Sequence, residues 1–209
     1  MIMVPLPKVS LPSSSSTVST SFGFELAGNY AFYDKNPDPT VKPEYYQHII
    51  STAKKIVIWD PHFMENVDGK LFEAVTYKDV EIEILTVCKD DQDDKSVNAL
   101  RDNIKNSLKK AGISNHSGTI FAFKHYKVKD GNDKRLYQCH DRFLMIDDRV
   151  VYLVGASMNN QLGSEWNFGI MKIEKTDNFS IFKLISDKYD DIKKKFISTQ
   201  NGWKTILRP

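Results

Sequence analysis

The feature that most constrains the fold is a pair of apolar runs separated by three polar residues. Residues 143–146 and 150–154 carry only aliphatic, aromatic and methionine side chains, and between them stand Asp147, Asp148 and Arg149. A short continuous apolar run is typical of a strand that is buried on both faces beneath flanking helices. Three polar residues between two such runs predict a turn. We therefore expect two consecutive strands in a sheet that helices cover.

The rest of the chain alternates patterns typical of strands and helices. Apolar runs rich in β-branched or aromatic residues predict further strands at residues 56–59, 80–87, 119–125 and 168–173. Helices are indicated by a proline at a first turn, acidic caps and apolar residues at three- and four-residue steps. The predicted helices run from Pro43 to Ala53, over 71–75, from Asp93 or Asp94 to Lys110 with Gly112 closing it, and over 182–196. This order predicts an α/β fold, a mixed β-sheet flanked by helices on both faces.

The first 42 residues have a different composition. Residues 1–21 contain three prolines and a serine run, so they bury too little apolar surface to fold alone. We expect a flexible arm or, because several of its residues are apolar, an arm that docks on a protein partner. Residues 22–42 are expected to form an aromatic-rich edge strand or hairpin followed by a connector. The main domain is then expected to span residues 43–209.

The overall composition excludes several classes of protein. The formal net charge is +2, so no strong overall field attracts nucleic acid. The hydrophobic fraction of 41% and the charged fraction of 27% are typical of a globular protein, and no apolar run has the length of a transmembrane segment. The cysteines, Cys88 and Cys139, cannot form a disulfide framework or a zinc site, and there is no signal-peptide pattern. We therefore expect a cytoplasmic protein.

The start of the first strand carries residues suited to phosphate chemistry. Successive side chains of a strand alternate faces, so His140 and Arg142 point the same way and can address one phosphate, whereas Asp141 points away. After the second strand, Ser157 and Asn159 could return hydrogen-bond donors to that phosphate. A histidine can attack phosphorus while cations and polar donors stabilise the charge on the oxygens, and this reaction needs no metal or other cofactor. A histidine two positions before an arginine is also common without any catalytic role.

The ordered string from His140 to Asn159 resembles the HKD signature of the phospholipase D superfamily, with Arg142 in the position of the lysine. Glu165 lies where the superfamily often carries a glutamate, and the superfamily's Gly-Ser is Gly-Ala-Ser here. The string also resembles single-motif phospholipase D-like domains of some phage-associated bacterial proteins and the C-terminal domains of certain MIT-domain proteins. The resemblance implies a phospholipase D-like half-domain.

The resemblance also implies a role for each residue of the string. His140 would be the nucleophile that forms a phosphohistidine intermediate, Asp147 its carboxylate partner and Arg142 the clamp on the phosphate. Ser157 and Asn159 match the superfamily's serine and asparagine. Arginine binds phosphate through a planar fork whereas lysine is a compact point charge, so the substitution favours phosphate binding and leaves open whether catalysis survives.

The superfamily mechanism needs two histidines, one that attacks phosphorus and one that protonates the leaving group. The sequence contains one motif. His125 precedes Lys127, but a charged turn follows in place of an apolar strand. The other histidines without a matching context are His48, His62 and His116. An active enzyme is therefore expected to be a homodimer, in which two strands that carry His140 meet across a twofold axis.

A basic run with interspersed aromatic residues precedes His140. Its cations are Lys124, Lys127, Lys129, Lys134 and Arg135. Such a run can bind single-stranded nucleic acid through phosphate contacts and base stacking, and an ordinary solvated loop also explains it.

The sequence supports two main hypotheses about function. The first is a metal-independent, homodimeric phosphodiesterase with a histidine nucleophile, specifically a nuclease. The second is a catalytically degenerate module that binds a phosphate-bearing ligand, either nucleic acid or a lipid headgroup, or a protein partner. A structural subunit of a larger assembly is a third possibility. Whether the protein is an enzyme therefore stays open at the level of sequence.

Overall fold

The structure, a computed structural model, describes residues 18–19, 24–27, 30–33, 48–64, 70–88, 94–124, 141–155, 168–176, 179–199 and 202–209. Within these residues, ten strands form one sheet. They are β1 (Val18–Ser19), β2 (Phe24–Ala27), β3 (Tyr30–Tyr33), β4 (Lys55–Trp59), β5 (Asp79–Cys88), β6 (Asn115–Lys124), β7 (Arg142–Ile146), β8 (Val150–Val154), β9 (Phe168–Glu174) and β10 (Gly202–Leu207). The helical elements are a 3-10 helix (Lys70–Ala74), α1 (Asp94–Lys110) and α2 (Phe179–Thr199), and residues 48–50 are also helical.

The strands lie in the order β1-β2-β3-β9-β8-β7-β4-β5-β6-β10. Towards the β10 edge, β4, β5 and β6 run parallel, and β7 pairs antiparallel with β4. The strands β7, β8 and β9 are antiparallel neighbours, and β10 pairs antiparallel with the outer side of β6. Parallel neighbours need crossover connections, which contain the 3-10 helix between β4 and β5 and α1 between β5 and β6.

The strand β7 is buried on both faces of the sheet, which explains its continuously apolar sequence. Leu144 and Ile146 pack into one hydrophobic cluster, and Phe143 and Met145 pack into the other. Because side chains alternate along a strand, these pairs belong to opposite faces of the sheet. The prediction of a strand buried on both faces is confirmed.

Helices pack against both faces of the sheet. Val97 and Ile104 of α1 pack into the first cluster, together with the 3-10 helix. Phe182, Tyr189 and Phe196 of α2, which recur every seven residues and so share one side of the helix, pack into the second cluster. The predicted fold class is therefore confirmed: a mixed sheet with helices on both faces.

The remaining differences between prediction and structure lie at the ends of elements and at the sheet edge. The strand β6 begins at Asn115, earlier than predicted, and α2 extends beyond the predicted range at both ends. The sequence does not predict β10, because Lys204 and Thr205 interrupt its apolar residues. This strand lies at the end of the sheet order, where a one-sided apolar pattern suffices.

The other end of the sheet order lies in the N-terminal part of the chain. The strands β2 and β3 form an antiparallel hairpin, and β3 pairs with β9. β1, which falls within the segment predicted as an arm, pairs with β2. The rest of that arm, 1–17 and 20–21, and the connector at 34–42 lie outside the described residues. Among the helices that the structure describes, none is both long and apolar enough to cross a bilayer.

Candidate functional site

One end of the sheet joins the segments that hold most of the predicted site residues. We name it the site end, where β4 stops at Trp59, β7 begins at Arg142 and β8 stops at Val154. The parallel strands β5 and β6 stop on the same side. Segment 125–140 connects β6 to β7, and segment 156–167 lies between β8 and β9. Both segments are therefore attached to the sheet at the site end.

Arg142 forms an ion pair with a buried carboxylate at this end. Because Trp59 lies opposite Phe143 in the β4–β7 pair, the residue after Trp59 lies beside Arg142. That residue is Asp60, whose side chain is completely buried, and its Oδ1 lies 3.6 Å from Arg142 Nε. Among the described residues, Nε is buried and has no hydrogen-bond partner, although the Arg142 side chain as a whole is 21% exposed. At this distance the contact is an attraction between charges rather than a direct hydrogen bond.

The turn after β4 holds Asp60 in place. Asp60 Oδ1 accepts the backbone N–H of His62 at 2.9 Å, the bond that aspartate commonly makes to the residue two positions on. The backbone N–H of Asp60 donates to Leu85 O of β5 at 3.0 Å. Pro61 restricts one backbone dihedral, and its carbonyl accepts the Val87 N–H at 3.2 Å. The carboxylate is thus fixed to the sheet by β5 on one side and by its own turn on the other.

The burial of Asp60 explains why it needs a cation nearby. An ionised carboxylate that leaves water without a charge partner is strongly unfavourable. Arg142 supplies the opposite charge, and the His62 N–H supplies a hydrogen bond to the same oxygen atom. The pair is therefore a fixed arrangement of charges and not a surface contact.

Asp147 lies at the opposite end of β7. This strand has five residues, so about 17 Å separates the positions of Arg142 and Asp147. There Asp147 Oδ1 accepts the backbone N–H groups of Lys54 and Lys55, each at 2.8 Å. A carboxylate in that place cannot contact an imidazole at the site end. The expectation that Asp147 is the carboxylate partner of His140 is therefore corrected: Asp147 joins the β7–β8 turn to the start of β4.

The remaining predicted catalytic residues lie outside the described residues; they are His140, Ser157, Asn159 and Glu165. The same holds for the predicted basic residues Lys127, Lys134 and Arg135. Lys124 is the last residue of β6, and its backbone pairs with Cys88 at the site end. The structure brings Lys124 and Arg142 to the same end of the sheet, three strand spacings or about 14 Å apart across it.

Among the described residues, the site end holds a cation and no cluster of metal ligands. Its fixed cation is Arg142, which points its Nε at Asp60. Within the described stretches, no three histidine, cysteine, aspartate or glutamate side chains lie close enough together to hold a metal ion. The arrangement can therefore bind an anion, and a phosphate is the anion that the motif indicates.

Two residues at the site end have no role in the sequence prediction. Asp60 stands in an aspartate-proline pair directly after an apolar strand, which predicts a turn but not the charge that faces it. Its partner is remote in sequence, so only the β4–β7 pairing reveals the contact. His62, which the sequence gives no motif context, is half-buried in the same turn. His116, by contrast, is buried far from the site end, in the first residues of β6.

Solved structures provide an independent comparison of the fold. NucT from Helicobacter pylori is similar with a TM-score of 0.51 and 13% identity, over 79% of this chain and 96% of that chain. Nuc, a phospholipase D family member from Salmonella typhimurium, gives a TM-score of 0.48 and 14% identity, over 78% of this chain and 89% of that chain. Phosphatidylserine synthase of Haemophilus influenzae Rd KW20 gives 0.43 and 12%, over 88% of this chain and 43% of that chain. No family model and no curated protein matches the sequence significantly.

This chain therefore shares the fold of NucT. At such low identities the similarity concerns the fold, and one fold hosts many functions. The function has to be argued from the site end and its residues.

Proposed function

We propose that this protein binds a phosphodiester at the site end and cleaves it, with His140 as nucleophile and without a metal ion. The observation that carries the proposal is the Arg142 guanidinium, which a buried carboxylate fixes at the first position of β7. Side chains two positions apart in an extended chain point the same way. The proposal extends the strand to His140, which would place its imidazole on the same side as a phosphate bound by Arg142.

The proposed reaction has two steps. First, an imidazole nitrogen of His140 attacks phosphorus; a P–N bond forms, the bond to the leaving oxygen breaks, and a second histidine protonates that oxygen. Then water, which gives a proton to the second histidine, attacks phosphorus, and the P–N bond breaks to restore His140. Arg142 would stabilise the charge on the non-bridging oxygens throughout, and Ser157 and Asn159 would add hydrogen bonds to them.

Glu165 takes the place of Asp147 in this proposal as the carboxylate partner of His140. Asp147 is bonded to the backbone at the far end of β7. Glu165 belongs to segment 156–167, which is attached to the sheet at the site end. A carboxylate that accepts the second N–H of an imidazole orients it and stabilises its cationic form.

The proposed substrate is single-stranded nucleic acid. The basic run begins at Lys124, at the site end, and the rest of it lies in the segment that connects β6 to Arg142. Cations along a strand of nucleic acid bind its phosphates, and interspersed aromatic residues can stack on its bases. The substrates to compare with it are double-stranded DNA and lipid phosphodiesters.

Cleavage in excess EDTA tests the proposal. The full-length protein is incubated with single-stranded DNA, double-stranded DNA, RNA, phospholipid vesicles and bis(p-nitrophenyl) phosphate. We expect cleavage of the single-stranded substrate that EDTA does not remove and that His140→Ala and the closer mimic His140→Asn both abolish. Equal background cleavage by wild type and both variants would overturn the enzymatic proposal.

One observation favours the alternative, binding without cleavage. The cation in the position of the superfamily's lysine is an arginine whose Nε already faces Asp60. Such a cation is suited to holding a phosphate in one orientation. Reactions on a radiolabelled substrate, quenched with SDS at alkaline pH, separate the two cases, because a phosphohistidine is stable in alkali and lost in acid, and its presence marks turnover. Tight binding of single-stranded DNA with no label on the wild-type protein would establish the binding module instead.

A further inference from the structure

We infer that Asp60 is a positioning residue that sets the direction of the Arg142 guanidinium, so that its terminal nitrogens face a bound phosphate. The inference rests on the proposed function for the identity of the anion. The orientation of the Arg142 guanidinium is inferred from the contacts of Asp60 and Arg142 alone.

The first premise is the shape of the guanidinium. It is a planar group with donors along two edges, one that includes Nε and one that consists of the two terminal nitrogens. Nε of Arg142 is buried and faces Asp60 Oδ1, so the exposed part of the side chain consists of other atoms. A carboxylate on the Nε side leaves the terminal edge for a ligand. A lysine has one ammonium and no second edge, which gives a physical reason for arginine here.

The second premise is that Asp60 cannot move with the ligand. Its side chain is completely buried, and it is bonded to the His62 N–H while its backbone is bonded to β5. A charge held in this way fixes the group that pairs with it. Positioning before binding lowers the entropy that binding costs.

The third premise is the sign of the electrostatic effect. A negative charge close to an anion site repels the anion, so a carboxylate with no positioning role weakens binding of phosphate. Removing the Asp60 charge would then strengthen binding. If Asp60 positions Arg142, removing the charge weakens binding instead. The two roles therefore predict opposite results for one substitution.

Asp60→Asn makes this distinction because asparagine keeps an oxygen that can accept the His62 N–H and loses only the charge. Binding of a fluorescent single-stranded oligonucleotide is measured in EDTA at several salt concentrations with the full chain carrying His140→Asn, so that cleavage does not consume the probe. We expect Asp60→Asn to weaken binding about tenfold, the loss expected for one misdirected charged hydrogen bond. Asp60→Ser, which also keeps an acceptor for His62, replaces it if the asparagine variant does not fold.

A double-mutant cycle separates positioning from a general structural defect. In the background of Arg142→Ala, and likewise of Arg142→Lys, Asp60→Asn should no longer weaken binding; only the repulsion by its charge is then removed, so binding should stay the same or become tighter. The control is Glu83→Gln, which removes a half-buried carboxylate, one that accepts the Tyr189 hydroxyl at 2.7 Å and the Lys193 ammonium at 2.8 Å. It should lower the free energy of unfolding and leave binding unchanged. An equal loss from Asp60→Asn with and without Arg142 would overturn the inference.

A readout without ligand keeps the inference independent of the proposed function. The Nε–H signal of Arg142 is followed by NMR on protein labelled with ¹⁵N-arginine and assigned with Arg142→Lys. We expect a narrow, slowly exchanging signal in wild type that broadens or exchanges faster in Asp60→Asn. An unchanged signal, or tighter binding by the variant, overturns the inference. Failure of wild type to bind any phosphate-bearing probe overturns the proposed function, and the NMR result still decides whether Asp60 orients Arg142.

Discussion

Asp60 and Asp147 are aspartates at opposite ends of the β4–β7 pair, and their surroundings give them different roles. Asp60 follows β4 and faces the guanidinium of Arg142. Asp147 follows β7 and accepts two backbone N–H groups at the start of β4. Both sit beside the same two strands, but only Asp60 is at the end where the predicted motif is attached. The aspartate of the motif is therefore part of the turn, and its regular spacing from His140 reflects the length of the strand.

Asp147→Ala should destabilise the fold more than Asp148→Ala. Both residues are in the left-handed region, with φ of 55° and 52°, so alanine strains both positions alike. Asp147→Ala also removes two hydrogen bonds to backbone N–H groups, which should lower the free energy of unfolding by about 1–3 kcal/mol. Asp148→Ala removes an exposed ion pair with Lys55, which should lower it by about 0–1 kcal/mol. The free energies of unfolding in urea measure the difference. Equal losses from the two variants would contradict the structural role of Asp147.

The buried His116 should make stability depend on pH. Burial lowers its pKa from the ordinary 6.5 and the charge of Lys105 lowers it further, while the nearby backbone of Arg208 opposes both; neither ring nitrogen has a hydrogen-bond partner among the described residues. Because the folded-state pKa lies below that of the unfolded chain, the unfolded chain binds the extra proton first. This contribution to stability is complete above about pH 6.5 and is lost as the pH falls from there toward the folded-state pKa.

His116→Leu should flatten this dependence. The contribution of one histidine cannot exceed about 1.4 kcal/mol per pH unit, and it should be missing from the variant's urea-unfolding series below about pH 6.5. His48→Gln, at an exposed position, is the control and should leave the slope unchanged. A slope that persists in His116→Leu would assign the pH dependence to other groups.

At the scale of elements, the parallel strands β5 and β6 approach more closely than side chains permit at one point. Gly118 pairs with Ile82, and its φ of 154° is rare for residues with a side chain. A Cβ atom at Gly118 would lie 1.7 Å from the Ile82 carbonyl oxygen. The glycine therefore permits the close approach of these two parallel strands.

Gly118→Ala should prevent this pairing or weaken it severely. The clash is with backbone atoms that cannot turn aside, so we expect a loss of about 3 kcal/mol or more in the free energy of unfolding. Gly112→Ala provides the control, since Gly112 has a φ of 76° after α1, but a methyl group there would meet no neighbouring atom of the described residues within 4 Å. It should cost only about 1 kcal/mol. Similar losses from the two substitutions would contradict the close approach at Gly118.

At the scale of the whole molecule, the sequence predicts more of the fold than of the candidate site. The β7 run and the seven-residue repeat of α2 are local patterns, and each reports directly which surfaces the element buries. The Asp60–Arg142 pair depends on β4 lying next to β7, although β5 and β6 come between them in the chain. No local pattern contains that adjacency. The sequence does not predict the edge strand β10 for a different reason, because a half-exposed strand does not need a continuous apolar run.

The proposed reaction needs two histidines, and this requirement leads to a prediction about the oligomeric state. If the proposed reaction uses His140 from each of two chains, a dimer needs both intact copies for its one site. Mixing equal amounts of wild type and His140→Ala under subunit exchange should then leave about a quarter of the wild-type activity per total protein, since random pairing makes a quarter of the dimers fully wild type. Chains that act alone would leave about half. Light scattering gives the mass of the same samples, and half activity from a monomer would instead direct attention to His62, the histidine that the described residues place at the site end.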